Sequence, residues 1–203
     1  KKNPKTYIDN EGHGTSIAGL VAYGKQMYLD NDELVNDAII VPIKVMDEGE
    51  DNFSIYDLIE AIRKACKKGV RIFNLSVNET VIKRYNENIS YYAFLLDKLS
   101  FELDILVFIS SGNLDNDFVK HYYKESEFNY PNHYFNPNCN EHDQEGYDCS
   151  ETNICPPADS MNNMTIGAIA ENFEDGLCDV SFDKSLPAYY SKKWHVSANF
   201  PLN

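Results

Sequence analysis

The sequence has little positive charge and no long apolar run. Its 203 residues include 18 lysines and arginines against 32 aspartates and glutamates, which gives a formal net charge of −14. This balance argues against a general nucleic-acid binder, because such proteins neutralise phosphates with Lys and Arg. A membrane-spanning helix needs about 18 or more consecutive apolar residues, which no segment approaches. A basic peptide or a cation is an easier partner for such a surface.

A glycine-rich phosphate loop, an internal repeat and a secretory signal peptide are also absent. Without the phosphate loop, the sequence gives little support to a nucleotide-binding α/β domain. The chain begins at Lys1 rather than at methionine. We therefore expect a processed or trimmed molecule, so the missing signal says little about its compartment.

Apolar strand-like runs alternate with amphipathic helices over much of the chain. Strands are predicted at residues 38–46, 70–76, 104–110 and 164–170. One helix is predicted to begin after an N-cap at Ser54 and to stop at Gly69. A second is predicted over about residues 90–103, with an inward face formed by Phe94, Leu95, Leu99 and Leu103. This order predicts an α/β domain with a mainly parallel central sheet and helices on both faces.

Residues from 114 to about 157 have a different composition. Phenylalanine, tyrosine, Asn, Asp and Pro are frequent there, whereas aliphatic residues are almost absent. Three of the five cysteines also fall in this stretch. We predict a Cys- and Tyr-rich loop insertion within a single, incomplete domain that spans residues 1–203.

Residues 11–19 read EGHGTSIAG, which places His13 between two glycines and before a small, apolar helical run. Glycine permits unusual backbone angles and the close approach of a substrate. A general base needs a reachable imidazole that is held in one orientation and titrates near neutrality. The segment suits that role, and the alternative is a structural histidine at a helix end.

Residues 13–22, HGTSIAGLVA, resemble the histidine block of the subtilisin-like serine peptidases, the subtilase family. Further blocks follow in the family's order. IFNLS at 72–76 resembles the strand that runs on to line the primary specificity pocket, and FISSGN at 108–113 resembles the block that completes the oxyanion hole. Residues 156–158, 164–168 and 190–198 are similar to later segments. The resemblance covers most of the chain outside the insertion.

The resemblance implies a serine endopeptidase that works through an acyl-enzyme, with peptides or proteins as substrates. His13 would be the general base. Asn113 would donate its side-chain N–H to the oxyanion. Substrate-binding positions are implied around the specificity pocket and in an edge loop, namely Ser76, Val77, Asn78, Ser111, Gly112, Gly49, Glu50 and Asp51.

Two members of the catalytic triad are missing from the sequence. The family's chain order is Asp, His, Ser, and the aspartate stands some tens of residues before the histidine. Asp9 is too close to His13 for that role, and neither Ser191 nor Ser197 has the small-residue helix start of the nucleophile. We expect an internal portion of a longer peptidase, with the remainder of its own processed chain as a further candidate partner. The alternative is a catalytically dead scaffold that acts as a binding module.

The sequence also departs from the family at two substrate-side positions. Residues 77–79 (VNE) stand where the family usually has glycine, which puts the pocket shape in question. Acidic residues at Glu48, Glu50 and Asp51 replace small ones in the edge loop. Our hypothesis is that they favour basic substrate side chains on the non-primed side; a solvated acidic loop is the alternative.

No cofactor is predicted, but the residue types offer candidate ligands for calcium and for zinc and candidate cysteines for disulfides. Residues 30–33 offer oxygen ligands for a structural calcium ion. Cys139, His142, Cys149 and Cys155 have the residue types of a zinc site, but only one gap has typical ligand spacing. Disulfides among Cys139, Cys149, Cys155 and Cys178 are favoured over zinc and fit an exported peptidase. We expect a secreted or extracytoplasmic protein, with a cytoplasmic one as the alternative, and Cys66 outside any disulfide.

Overall fold

The computed structural model describes residues 9, 12–28, 38–46, 54–83, 87–114, 152–168, 188 and 191–192. The chain divides into two compact units, Lys1–Val70 and Arg71–Asn203. In the first unit the described residues form helices α1 (His13–Tyr28) and α2 (Ile55–Cys66). In the second they form strand β1 (Ile72–Leu75), helix α3 (Tyr91–Leu103) and strands β2 (Leu106–Ser110) and β3 (Met164–Ile166).

Helix α2 lies between the N-cap and the glycine stop that its sequence predicts, and one face of it is buried. The Ser54 hydroxyl oxygen accepts the Asp57 backbone N–H at 3.3 Å, which satisfies one of the free donors of the first turn. Gly69 lies just beyond the helix with a φ of +93°, a conformation that glycine adopts without a steric penalty. The buried side chains recur at helical spacing and are Leu58, Ile62, Ala65 and Cys66. Cys66 forms no disulfide, as predicted.

The strand predicted over residues 38–46 is not formed in the described structure. These residues make no strand ladder, and the side chain of Ile39 is 96% exposed. A strand exists only when a neighbour accepts and donates its backbone hydrogen bonds. The first unit has no other strand among its described residues, so an apolar run alone does not produce one.

The second unit contains the parallel sheet that the sequence predicts. The strand order is β1-β2-β3, and both pairs are parallel, with Phe73 opposite Val107 and Phe108 opposite Met164. Parallel neighbours need a long crossover, and α3 lies within the one that joins β1 to β2. Val107 and Ile109 on the central strand are 1% and 0% exposed, so β2 lies at the core of this unit.

Helix α3 turns a different face inward from the one that its sequence pattern predicts. Its start is as expected, because the Ser90 side chain caps it and accepts the Ala93 N–H at 3.1 Å. Phe94, however, is 49% exposed. Of the four residues predicted to face inward, only Leu99 is fully buried. The buried face consists of Tyr92, Ala93, Leu96, Asp97, Leu99 and Ser100.

A buried carboxylate explains this rotation of the helix. Asp97 is 8% exposed, and its side-chain oxygens accept the backbone N–H groups of Met161 and Asn162 at 2.9 Å each. The Ser160 hydroxyl and the Asn163 side-chain amide donate to the same carboxylate. Asp97 therefore organises the whole 160–163 turn, and its position fixes which face of α3 points inward.

The same turn is tied to the central strand. The side-chain oxygen of Asn163 accepts the Ser100 hydroxyl at 2.7 Å and the Val107 N–H at 3.1 Å. Asp159, 2% exposed, accepts the N–H and the hydroxyl of Ser90 at 2.7 Å each. The segment that leads into β3 is therefore held by hydrogen bonds to both the start and the middle of α3.

Most of the predicted insertion, residues 115–151, lies outside the described residues and stays a prediction. Its final residues do not behave as an exposed loop, because residues 152–157 are buried in the second unit. Within the described part of the chain, no helix combines the length and the apolar character that crossing a membrane requires.

Removing the Asp97 carboxylate is expected to destabilise the second unit strongly. Asp97→Ala leaves several buried donors of the 160–163 turn without an acceptor, and we expect a loss of about 3 kcal/mol or more in the free energy of unfolding. Urea unfolding followed by far-UV circular dichroism measures this change. Asp104→Asn is the control, since Asp104 is exposed at φ +51° and asparagine tolerates that conformation. Equal midpoints for the two variants would contradict the assigned role.

Candidate active site

His13 is the first residue of α1 in the first unit, and it is exposed. Asp9 organises this helix start. Its carboxylate accepts the Gly12 N–H at 3.0 Å, the Thr15 N–H at 2.7 Å and the Thr15 hydroxyl at 2.8 Å. Gly12 has a φ of +76°, so a side chain there would strain the turn that presents His13. The aspartate that sequence reasoning left unassigned is thus engaged as a helix cap, where negative charge also suits the helix dipole.

Asn113 follows the carboxyl end of β2 in the second unit. The chain leaves the strand through Ser111, which is 4% exposed, and Gly112, whose φ is +91°. Asn113 is exposed, and its backbone forms an antiparallel bridge with Ser191. Its side-chain amide makes no hydrogen bond to any residue that the structure describes. The backbone is therefore fixed on both sides, while the amide is available as a donor.

The predicted pocket residues of the second unit lie beside one another. The Asn78 side-chain amide donates to the Ser110 carbonyl at 2.8 Å, and the Ser110 hydroxyl donates back to the Asn78 side-chain oxygen. The Ser76 hydroxyl oxygen accepts from the Asn74 amide at 2.9 Å. Val77 is half-buried between them. Residues 76–78 thus run next to the end of β2, close to Ser111 and Gly112.

A third segment, residues 153–157, joins these two. The Glu79 N–H donates to the Pro156 carbonyl at 2.7 Å, and the Lys83 N–H donates to the Ile154 carbonyl at 2.8 Å. The Cys155 N–H donates to the Ser111 carbonyl at 3.4 Å. Residues 76–83, 110–113 and 153–157 therefore form one hydrogen-bonded cluster at the carboxyl end of the sheet.

Cys155 and Lys192 are members of this cluster that sequence reasoning missed. Lys192 donates its backbone N–H to the Gly112 carbonyl at 3.3 Å, and its Nζ lies 3.2 Å from the Cys155 Sγ. Cys155 is a free thiol, so it does not take part in the predicted disulfides. The only signal in the sequence was that Cys155 directly precedes the family-like PPA segment and so belongs to the sheet edge rather than to the insertion.

Ser191 has a structural position. It is 4% exposed, and its hydroxyl oxygen accepts the Ala168 N–H at 3.0 Å and lies 3.4 Å from the Ser111 Oγ. A Cβ on Gly167 would lie 3.1 Å from the same oxygen, which is closer than an ordinary van der Waals contact. The Ser191 hydroxyl is thus engaged inside the cluster and is not presented at the surface.

Glu79, next to the cluster, interacts electrostatically with Asp159 and with the Tyr92 phenol. Partial desolvation and the neighbouring Asp159 carboxylate raise the pKa of Glu79 above its ordinary value. Burial and the charge of Glu79 raise the pKa of the Tyr92 phenol. The negative charge at Glu79 is therefore unfavourable in the folded state, although the residue stands in a segment expected to line the substrate pocket.

Several predicted residues fall outside the described part of the chain. They include the edge-loop residues Gly49, Glu50 and Asp51, the possible calcium ligands at 30–33, and Cys139, His142, Cys149 and Cys178. Among the described residues, no group of three or more His, Cys, Asp or Glu side chains is placed to hold a metal ion. The zinc site, the calcium site, the disulfides among the other cysteines and the compartment stay predictions.

The second unit is thus an α/β fold with a parallel sheet, and its conspicuous polar cluster lies at the carboxyl ends of the strands, where α/β proteins place their sites. The sequence model of the Subtilase family matches residues 1–199. The chain belongs to that family, and it is a subtilisin-like serine peptidase domain. No curated protein and no solved structure matches the chain.

The raised pKa of Glu79 predicts a pH-dependent effect of Glu79→Gln. The folded state binds the Glu79 proton more tightly than the unfolded state, so the ionised side chain destabilises the fold as the pH rises above the ordinary value of 4.5. We expect Glu79→Gln to stabilise the protein at pH 7, by less than about 1 kcal/mol because solvent screens an exposed carboxyl.

The same substitution should have no effect at about pH 3.5, where the carboxyl is protonated in both states. Thermal melting at the two pH values measures the difference. Glu102→Gln, which removes an exposed 3.8 Å ion pair with Lys98, is the control and should not stabilise at pH 7. A Glu79→Gln variant that is less stable than the parent at pH 7 would rule this interpretation out.

Proposed function

We propose that this chain is part of an active endopeptidase that hydrolyses peptide bonds through an acyl-enzyme. Family membership supports serine peptidase chemistry in general. The observation that carries the specific proposal is the geometry at the end of β2. An exposed Asn113, with a fixed backbone and an available amide, stands in a block that resembles the family's oxyanion block.

The proposed chemistry uses His13 as the general base. His13 accepts the proton of a serine hydroxyl that lies elsewhere in the full-length protein, and the serine oxygen attacks the substrate carbonyl carbon. The C–N bond then breaks as His13 delivers the proton to the leaving amine. Water attacks the resulting ester in the same way and releases the acid. The exposed position of His13 at the start of α1 suits such proton transfer.

Asn113 is proposed to stabilise the oxyanion of each tetrahedral intermediate. Its N–H donor lowers the activation free energy because it points at the oxygen on which negative charge develops. A preorganised donor also needs no rearrangement during the reaction. Substrate backbone and the side chain before the cleaved bond are proposed to lie against Ser76, Val77 and Asn78 on one side. Ser111 and Gly112 provide the other side, and Gly112 leaves room because it has no side chain.

The second candidate function is a binding module that keeps the fold without catalysis. It is favoured by one observation, the absence of an assignable triad aspartate and serine in this sequence. The two functions differ in what the full-length protein contains and does. An Asp-x-Gly block and a Gly-Thr-Ser block in the same protein favour the peptidase.

A serine-directed fluorophosphonate probe on the full-length protein tests the peptidase proposal. We expect covalent labelling of the parent and almost none of His13→Ala, because the serine then lacks its base. Asn113→Ala should keep its fold and lose about 10²–10³-fold in kcat, which is the loss known for removal of the oxyanion-hole asparagine of subtilisin itself. Asn88→Ala, at an exposed asparagine of the same unit, is the control and should retain full activity. An unlabelled, folded parent would favour the binding module.

The acidic edge loop is proposed to bind basic substrate side chains on the non-primed side. Glu48, Glu50 and Asp51 carry the negative charge, and the overall charge of −14 adds to the attraction for cationic peptides. Cleavage profiling of the full-length enzyme should show a preference for Lys or Arg there. Changing Glu50 and Asp51 together to Gln and Asn should reduce it about tenfold or less, and more so at low salt. A profile without such a preference removes the idea.

A further inference from the structure

Lys192 is a buried, positively charged residue that takes no part in the proposed peptide-bond hydrolysis. It is 8% exposed, and its side chain lies next to Gly112, just beyond the end of β2. Among the residues that the structure describes, the only hydrogen-bond acceptor for its ammonium group is the Cys155 Sγ at 3.2 Å. Sulfur is a weak acceptor, so this contact satisfies little of the bonding capacity of a group with three donors.

The charge of Lys192 has no carboxylate partner in the described part of the chain. A buried ammonium group without an anion is costly, because it has lost its hydration and gained little in return. This contrasts with Lys83, the other nearby lysine with low exposure, which donates to the Asn88 carbonyl and lies 3.8 Å from the Glu87 carboxylate. An anion supplied by a bound molecule would complete the environment of Lys192.

The position of Lys192 indicates which molecule supplies that anion. A Cβ on Gly112 would lie 3.3 Å from the Lys192 Cδ and 3.6 Å from the Cys155 Sγ. The Asn78 side-chain amide donates to the Cys155 carbonyl at 3.5 Å as well as to the Ser110 carbonyl. The ammonium group thus lies among the segments proposed to line the substrate pocket, next in sequence to the residue that bridges Asn113.

We propose that Lys192 is a specificity-determining residue that binds an acidic side chain, Glu or Asp, of the peptide substrate. The acidic side chain is that of the residue whose carbonyl carbon is attacked, since Asn113 holds that carbonyl oxygen and Gly112 and Ser111 line the adjoining pocket. This inference rests on the proposed peptidase function. It adds a selectivity for charge at one substrate position that the edge-loop acids do not provide.

Glutamate and glutamine differ in charge but hardly in shape, so a pair of peptides isolates the effect of Lys192. A hydrogen bond between two charged groups is markedly stronger than one between a charged and a neutral group. The glutamine peptide also leaves the buried ammonium without an anion. We therefore expect the full-length enzyme to cleave the Glu peptide at least about tenfold faster, in kcat/KM, than the otherwise identical Gln peptide.

The variant Lys192→Gln should abolish this preference, giving a Glu-to-Gln ratio near one or below. Lys192→Met, which keeps the length of the stem without its charge, should do the same. The control is Lys98→Gln, because Lys98 is exposed on α3 and pairs with Glu102; it should retain the parent's ratio. Fluorophosphonate labelling and thermal melting of each variant separate a change of specificity from a loss of folded protein.

The outcomes distinguish this inference from the function on which it rests. A labelled parent enzyme that cleaves the Glu and Gln peptides equally well overturns the role of Lys192 and leaves the peptidase function intact. A preference for Glu that survives in folded Lys192→Gln also overturns it. A folded parent that neither reacts with the probe nor cleaves either peptide overturns both proposals together.

Discussion

The carboxylate of Asp97 is the interaction on which the arrangement of the second unit depends. It accepts donors from four consecutive residues of the 160–163 turn, and the last of these, Asn163, reaches both α3 and the central strand. Such a network is stable only when every member is satisfied, because an unpaired buried donor is expensive in a low-dielectric interior. The helix, the turn and β2 are therefore positioned together rather than independently.

The hydrogen-bond network around Asp97 also determines the geometry of the polar cluster at the sheet edge. The turn held by Asp97 leads directly into β3, whose pairing with β2 places Ser111 opposite the chain that follows Ile166. The residues just before the turn include Cys155 and Pro156, which bond to Ser111 and Glu79. A hydrogen-bonded scaffold on one side of the sheet end thus fixes the backbone on which Asn113 is presented. Rigid support of this kind is what a preorganised oxyanion donor requires.

Sequence reasoning predicted the parallel sheet, the cap at Ser54 and a helix that begins near Ser90, because each rests on local pattern. It failed where the decisive contact is distant in sequence. The inward face of α3 was misjudged because the apolar pattern does not reveal the partners of Asp97, which lie more than sixty residues away. Lys192 and Cys155, 37 positions apart, gave no local signal of their contact. The strand at 38–46 was predicted from composition, which does not supply a pairing partner.

An acidic substrate group and a chain with a net charge of −14 conflict only if charge is averaged over the whole molecule. Exposed charges act weakly beyond a Debye length, about 8 Å at physiological salt. A buried ammonium group acts over a few ångströms in a medium that screens poorly, so the local interaction dominates once the substrate is seated. The distant acidic residues mainly affect the association rate of the substrate and favour basic residues at its other positions. A peptide with basic residues outside the pocket and one acidic residue within it is attracted both by the distant acidic residues and by Lys192. The two contributions can be measured separately, because only the long-range attraction weakens with salt.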